Sequence, residues 1–175
     1  MSTLNTVFKQ YEQEAYASYE RISGITLDKN TDGTFKPQGV NDALDAYRHA
    51  YVSAVMTRDY NKIVAHVAGT AHEVRGELFG GQPAGERNMD LWNNSKGRDI
   101  VSAEPSRTAI AQKVYDALQN GELITEPITD TRKSSELYAE YRGVNTLLSA
   151  INNLYLQFNS WTPPRTDPLV LDLDN

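Results

Sequence analysis

Residues 42–51 read DALDAYRHAY. Leu44, Tyr47 and Tyr51 recur at helical spacing, which predicts a helix with one face in a core. The same ten residues carry Asp45, Arg48 and His49, and a four-residue separation puts Asp45 and His49 on one face. A half-buried helix with an acid, a guanidinium and an imidazole in one turn has two explanations. In the first, the groups form an ion pair stabilising the helix by only ~0.3–0.5 kcal/mol. In the second, the aspartate fixes the histidine's tautomer, raises its basicity, or shares a metal with it.

Working outward, Leu4, Val7, Phe8, Tyr11, Ala15, Tyr19 and Ile22 predict a first helix over residues 4–23. The helix containing DALDAYRHAY is expected to run from Asn41, as its N-cap, to Arg58. A third is expected from Tyr60 to Leu78, with Ile63, Val67, Ala71, Val74 and Leu78 on its buried stripe, closed by FGGQPAG (79–85). The link between the two is so short that it predicts an antiparallel hairpin. Residues 85–101, GERNMDLWNNSKGRDIV, show no clean apolar period and read as loop or irregular helix. Pro105 opens a fourth helix to Leu118, and a long helical run is expected from Asp130 to Phe158. The fold class is therefore mainly α: a single compact helical domain over residues 1–160, with a proline-rich tail at 161–175.

With 175 residues, 39% hydrophobic and 23% charged, the chain has the composition of a globular domain. A net charge of −6 argues against broad nucleic-acid binding, which needs a positive face. The chain has no cysteine, which excludes disulfides, thiolate zinc sites and a cysteine nucleophile. The start, MSTLNTVFKQYEQEAYASYE, lacks the basic segment and apolar run of a Sec signal, and no apolar window approaches a membrane span. Export would have to use another route, such as a secretion or injection system delivering the protein to a target periplasm.

Two further segments carry polar groups. In AGTAHEVRGE (68–77), His72 and Glu73 sit beside the core stripe. Gly69 and Gly76 each cost a helix about 1 kcal/mol, which close packing or access to a ligand would explain. The H-E-x-x-H metalloprotease spacing fails, because position 76 is glycine. His66 and His72 are six apart, so one helix cannot present both to a single metal. In MDLWNNSKGR (89–98), Asp90, Asn93, Asn94 and Arg98 gather near Trp92, although Asn-Asn and Gly also favour turns.

If the hairpin brings His49 and His72 together and the later segment folds across them, the inventory suits a hydrolytic site. His49 and His72 are then general bases or metal ligands, with Glu73 as acid or base and Asp45 orienting His49. Arg48 and Arg98 stabilise negative charge, and Asn93, Asn94 and Trp92 hold substrate. His49, His72 and Asp90 would take zinc or manganese. The competing reading is that these groups satisfy one another as a packing network. Upstream, DKNTDGT (28–34) matches half of an EF-hand loop through Asp28, Asn30, Asp32 and the Thr34 carbonyl. The twelfth position is Gly39 where a bidentate glutamate belongs, so calcium is the weaker metal expectation.

DAYRHAY, AHE and MDLWNN followed by GR resemble, in that order, the motifs of a poorly characterised bacterial and phage domain family, over roughly residues 42–100. Its members occur alone in phage-related proteins and at the C-termini of RHS-type or polymorphic toxins. By position the resemblance marks Asp45, Arg48, His49, His72, Glu73, Asp90, Asn93, Asn94, Gly97 and Arg98. Val52 and Ser53 depart from the family's Trp-Asn pair. The resemblance implies a delivered effector, with an immunity or delivery protein as partner. The leading expectation is a hydrolase, metal-dependent or not, acting on peptidoglycan or envelope lipid. The alternatives are a non-enzymatic structural or adaptor protein of a phage or injection particle, and a metal-dependent phosphoesterase or nuclease.

Overall fold

A computed structural model describes residues 4–80, 82–101 and 106–136, with side chains from residue 6 and excluding those of residues 73–80. Five helices follow one another: α1 (Leu4–Ser23), α2 (Ala43–Asp59), α3 (Lys62–Gly80), α4 (Ala84–Ile100) and α5 (Arg107–Gln119). No strand occurs among the described residues; Lys29 and Phe35 form one isolated antiparallel bridge. None of the helices is long and apolar enough to cross a membrane.

The helix that opens with Ala43 is the centre of the molecule. It packs against α1, α3, α4 and α5, most extensively against α4. Its buried residues run on all sides, from Leu44 to Tyr47 and from Ala50 to Met56, so it is enclosed and not half buried. Tyrosines fill much of the space. Tyr47 is fully buried, stacks on Tyr51 at 5.9 Å and meets Tyr19 edge-on at 5.2 Å. Its hydroxyl lies 2.9 Å from the Ser18 hydroxyl, so this buried polar tip has a partner. Burial pushes its pKa above the usual phenol range.

The first turn of α2 is fastened from both ends. Asp42, not Asn41, is the N-cap, accepting the Asp45 N–H at 2.9 Å. The Asp45 carboxylate reaches back and accepts the Asn41 N–H at 2.8 Å, the reciprocal pattern of a capping box moved one residue outward. Asn41 itself takes φ 56, which is why the cap falls on its neighbour.

The expectation for residues 85–101 is corrected. They form a regular helix, α4, which buries Arg87, Asn88, Asp90, Asn93, Asn94 and Arg98 alongside Met89, Leu91 and Gly97. The helical period is present, but polar residues carry it, so an apolar count overlooks it. On α3 the buried face is also displaced: Ala65, Ala68, Gly69 and Thr70 are buried, while Ile63, expected in the core, is 75% exposed. The small residues let neighbouring helices approach. The fourth helix in the sequence-based reading is α5, capped by Ser106, which accepts the Ala109 N–H at 3.1 Å. Residues 130–135 are not helical, so the run expected from Asp130 starts no earlier than Glu136. Its remainder and the 161–175 tail lie outside the described residues.

α4 comes very close to α2 at Gly97, where a Cβ would stand 2.0 Å from the Ala50 carbonyl oxygen. At Gly69 a Cβ would meet only the Asn94 side chain, at 3.4 Å. Gly97→Ala is therefore expected to destabilise the fold by about 3 kcal/mol through overpacking. Gly69→Ala is expected to be neutral or to stabilise by up to about 1 kcal/mol through helix propensity. Urea denaturation of the two variants checks this contrast.

Candidate functional site

The contact between α2 and α4 brings Asp45 and His49 of one helix against Asp90 of the other. His49 Nε2 lies 3.5 Å from Asp45 Oδ1 and 3.4 Å from Asp90 Oδ1. The three atoms all fall within 4.8 Å of one another. Each carboxylate has one oxygen tied by a protein donor and the other turned toward the imidazole. Asp45 Oδ2 accepts the Asn41 N–H at 2.8 Å, and Asp90 Oδ2 accepts the Gln82 amide at 2.6 Å. Asp90 Oδ1 is buried and has no hydrogen-bond donor. The side chains are 7% exposed for both aspartates and 11% for His49, so the cluster lies just beneath the surface.

Arg48 borders it. One guanidinium nitrogen bonds Asp45 Oδ1 and lies 3.3 Å from His49 Nε2; the other reaches Glu12 of α1 at 2.9 Å. His72 comes to the same region from α3, its ring stacked on Phe8 at 5.5 Å. One side of His72 faces solvent. Protein packed around the rest, followed by the positive influence of His49 and Arg48, holds its pKa below the ordinary histidine value. The ring is therefore neutral at neutral pH. Asp45, Arg48, His49 and Asp90 thus meet between α2 and α4, with His72 of α3 near enough to feel the charges of His49, Arg48 and Asp90. The group of possible ligand atoms contains Asp45 in place of His72. Glu73 lies on α3 with its side chain outside those described.

Of the expected substrate-binding residues, Asn93 and Trp92 bond to backbone groups. Asn93, fully buried, donates to the Ile124 carbonyl and accepts the Ile124 N–H, each at 2.9 Å. The Trp92 indole donates to the Glu122 carbonyl at 2.9 Å and lies between Arg132 and Lys96, whose charges stand 5.4 and 5.6 Å from its ring. Asn88 repeats the Asn93 pattern, donating to the Arg132 carbonyl at 2.9 Å and accepting the Ser134 N–H at 2.8 Å. Together these residues pin the segment 121–134 along α4. Asn94 packs beside Gly69. Arg98 pairs with Glu136 and lies 3.4 Å from the Ser53 hydroxyl, at the far end of α4 from Asp90. Glu136 also meets His66 at 3.3 Å. Its burial would raise its pKa, but the His66 hydrogen bond and the Arg98 charge hold it below the usual carboxylate range.

In the calcium expectation, Asp28, Asn30, Asp32 and Thr34 lie together in a tight turn. Asp32 Oδ1 accepts from the Thr34 N–H and hydroxyl at 3.0 and 2.6 Å, and the Thr34 carbonyl accepts the Asn30 N–H at 2.7 Å. The Asp28 carbonyl accepts the Lys36 N–H at 3.0 Å. These are the bonds of a hairpin turn with Gly33 at φ 85.

Residues 7–122 match the family described as Domain of unknown function (DUF6973). The chain belongs to that family. No solved structure matches the chain. The part matched to DUF6973 includes Glu12, Asp45, Arg48, His49, His72, Gln82 and Asp90, and stops short of Ile124, Ser134 and Glu136. Sequence reasoning missed Glu12, Gln82 and Asn88. Glu12 stands midway along α1 and Gln82 in the link before α4, where the sequence offered no motif. Asn88 has the same form as Asn93, which the reading assigned to substrate.

Two outcomes follow for the residues around α4. Asn93→Ala strands a buried N–H and carbonyl, and is expected to destabilise by about 2–4 kcal/mol, measured by chemical denaturation. Because the folded pKa of Glu136 is lowered, its stabilisation is full above about pH 4.3 and is lost as pH falls through the lower folded value. Glu136→Gln should therefore lower the thermal midpoint at pH 7 and narrow its difference from the unmodified protein at acid pH.

Proposed function

We propose that this protein is an effector-type hydrolase acting on a bacterial cell-envelope component, peptidoglycan or lipid, with His49 as its general base. One observation carries the reading: a single imidazole nitrogen meets two buried carboxylates, and one of the facing oxygens lacks a donor. An imidazole so placed takes a proton from an attacking water, and the carboxylates stabilise the imidazolium that forms. The water oxygen bonds to the electrophilic centre, and the proton returns from His49 to the leaving group. Arg48 offers positive charge to the oxygen that becomes negative on addition. His72, neutral and open on one side, is the second proton carrier toward solvent.

The motif resemblance supports the effector setting, in which a delivery protein and an immunity protein are the natural partners. The net charge of −6 supports a target other than nucleic acid. Low exposure of the cluster favours one second reading: an adaptor of a phage or injection particle in which the polar triad fastens α2 to α4.

Expression in the cytoplasm and in the periplasm separates these readings, using the unmodified protein, His49→Gln and Asp90→Asn, with folding checked by circular dichroism. The expected result is growth arrest only from the periplasm, with release of peptidoglycan fragments or fatty acids reduced at least a hundredfold in both variants. A harmless, inactive protein whose variants lose only stability overturns the proposal in favour of the adaptor. Cleavage of phosphodiesters alone reassigns it as a phosphoesterase or nuclease.

A further inference from the structure

We infer that Asp45 Oδ1, His49 Nε2 and Asp90 Oδ1 form a divalent-cation site whose ion must displace the Arg48 guanidinium. With bonds of about 2.0–2.2 Å, neighbouring ligands around zinc or a similar ion stand about 3–3.5 Å apart. His49 Nε2 already stands 3.5 and 3.4 Å from the two oxygens. This is ligand-to-ligand spacing, longer than a good hydrogen bond.

Three independent features distinguish the cluster from a chance gathering of charges. The first is orientation. Asn41 and Gln82 each hold the outer oxygen of one carboxylate, leaving the inner one for the ion, as supporting hydrogen bonds do around bound metals. The second is the buried Asp90 Oδ1, which accepts no hydrogen bond and has only the His49 ring nitrogen, at 3.4 Å, facing it. Asp90 is only 5% exposed, so water compensates it poorly. The third is the position of Arg48. Its guanidinium bonds the inner oxygen of Asp45 and touches His49 Nε2, where a cation is wanted. Glu12 holds the opposite side of the same guanidinium at 2.9 Å. Arg48 and Glu12 are 22% and 29% exposed, so the arginine has a partner at the solvent edge to retain when it leaves Asp45.

Two carboxylates and one imidazole suit zinc or manganese better than calcium, which takes six to eight oxygens. Water entering past Arg48 completes the coordination. With an ion held, His49 Nε2 is a ligand and the neighbouring His72 would take its place as base; the inference rests on the proposed hydrolase for what the ion does there, but not for whether it binds.

The test uses the full chain, stripped with chelator and dialysed, then titrated with manganese or zinc alone. Calorimetry gives stoichiometry and affinity; the manganese electron paramagnetic resonance spectrum reports the bound fraction independently. One ion per chain is expected. His49→Gln and Asp90→Asn should each weaken binding at least tenfold, and Arg48→Met should tighten it at least tenfold by removing the competing charge. Failure of the folded, unmodified protein to bind either metal overturns the inference, as does binding indifferent to His49→Gln and Asp90→Asn or weakened by Arg48→Met. Tight binding by a protein without hydrolytic activity supports the cation site and removes only the proposed function. Hydrolysis unchanged after chelation supports the proposed function and removes only the ion's part in it.

Discussion

The architecture depends on how closely α2 and α4 approach at Ala50 and Gly97. Helices usually stand 8–10 Å apart, the separation set by side chains at the contact. Here one side chain is absent and the other is a methyl group, leaving no room for a Cβ against the Ala50 carbonyl. That approach draws the polar face of α4 against the central helix. Asp90, two turns earlier on α4, then meets His49, the immediate neighbour of Ala50 on α2. The candidate site is thus a product of close packing, and a wider separation would pull its two halves apart.

Burying so many polar groups on one helix is costly unless each finds a partner. Along α4 the compensation comes largely from backbone. Asn88 and Asn93 each use both ends of the amide to satisfy a buried N–H and carbonyl pair of the segment running past them. Arg132 adds bonds to the Gly121 and Leu123 carbonyls at 2.7 and 3.0 Å. The segment thereby behaves like a strand laid on a polar helix, without a sheet. Asp90 Oδ1 is one of the few buried atoms along this helix that this pairing leaves without a hydrogen bond.

Much of the fold is legible in the sequence because apolar spacing is a direct record of burial. The bounds of α1 agree with the periodicity, and those of α2 and α3 differ by one or two residues. Where reasoning went astray, the buried face was not apolar. Ala65, Ala68 and Gly69 are too small to register as a stripe, so Ile63 was favoured although it points to solvent. Arg87, Asp90, Asn94 and Arg98 have the period of a helix and the composition of a loop. Part of the polar cluster was legible as types and spacing: Asp45, His49 and Asp90 do meet. Their division of labour was not, because Asn93 and Trp92 serve backbone groups thirty or more residues away, a distance along the chain that no local motif encodes.

Asp45 belongs at once to the cap of α2 and to the polar cluster. Fraying of a single helical turn would therefore withdraw one carboxylate and release the arginine beside it together. Nucleating this helix sets the α2 half of the cluster, and the docking of α4 then adds Asp90.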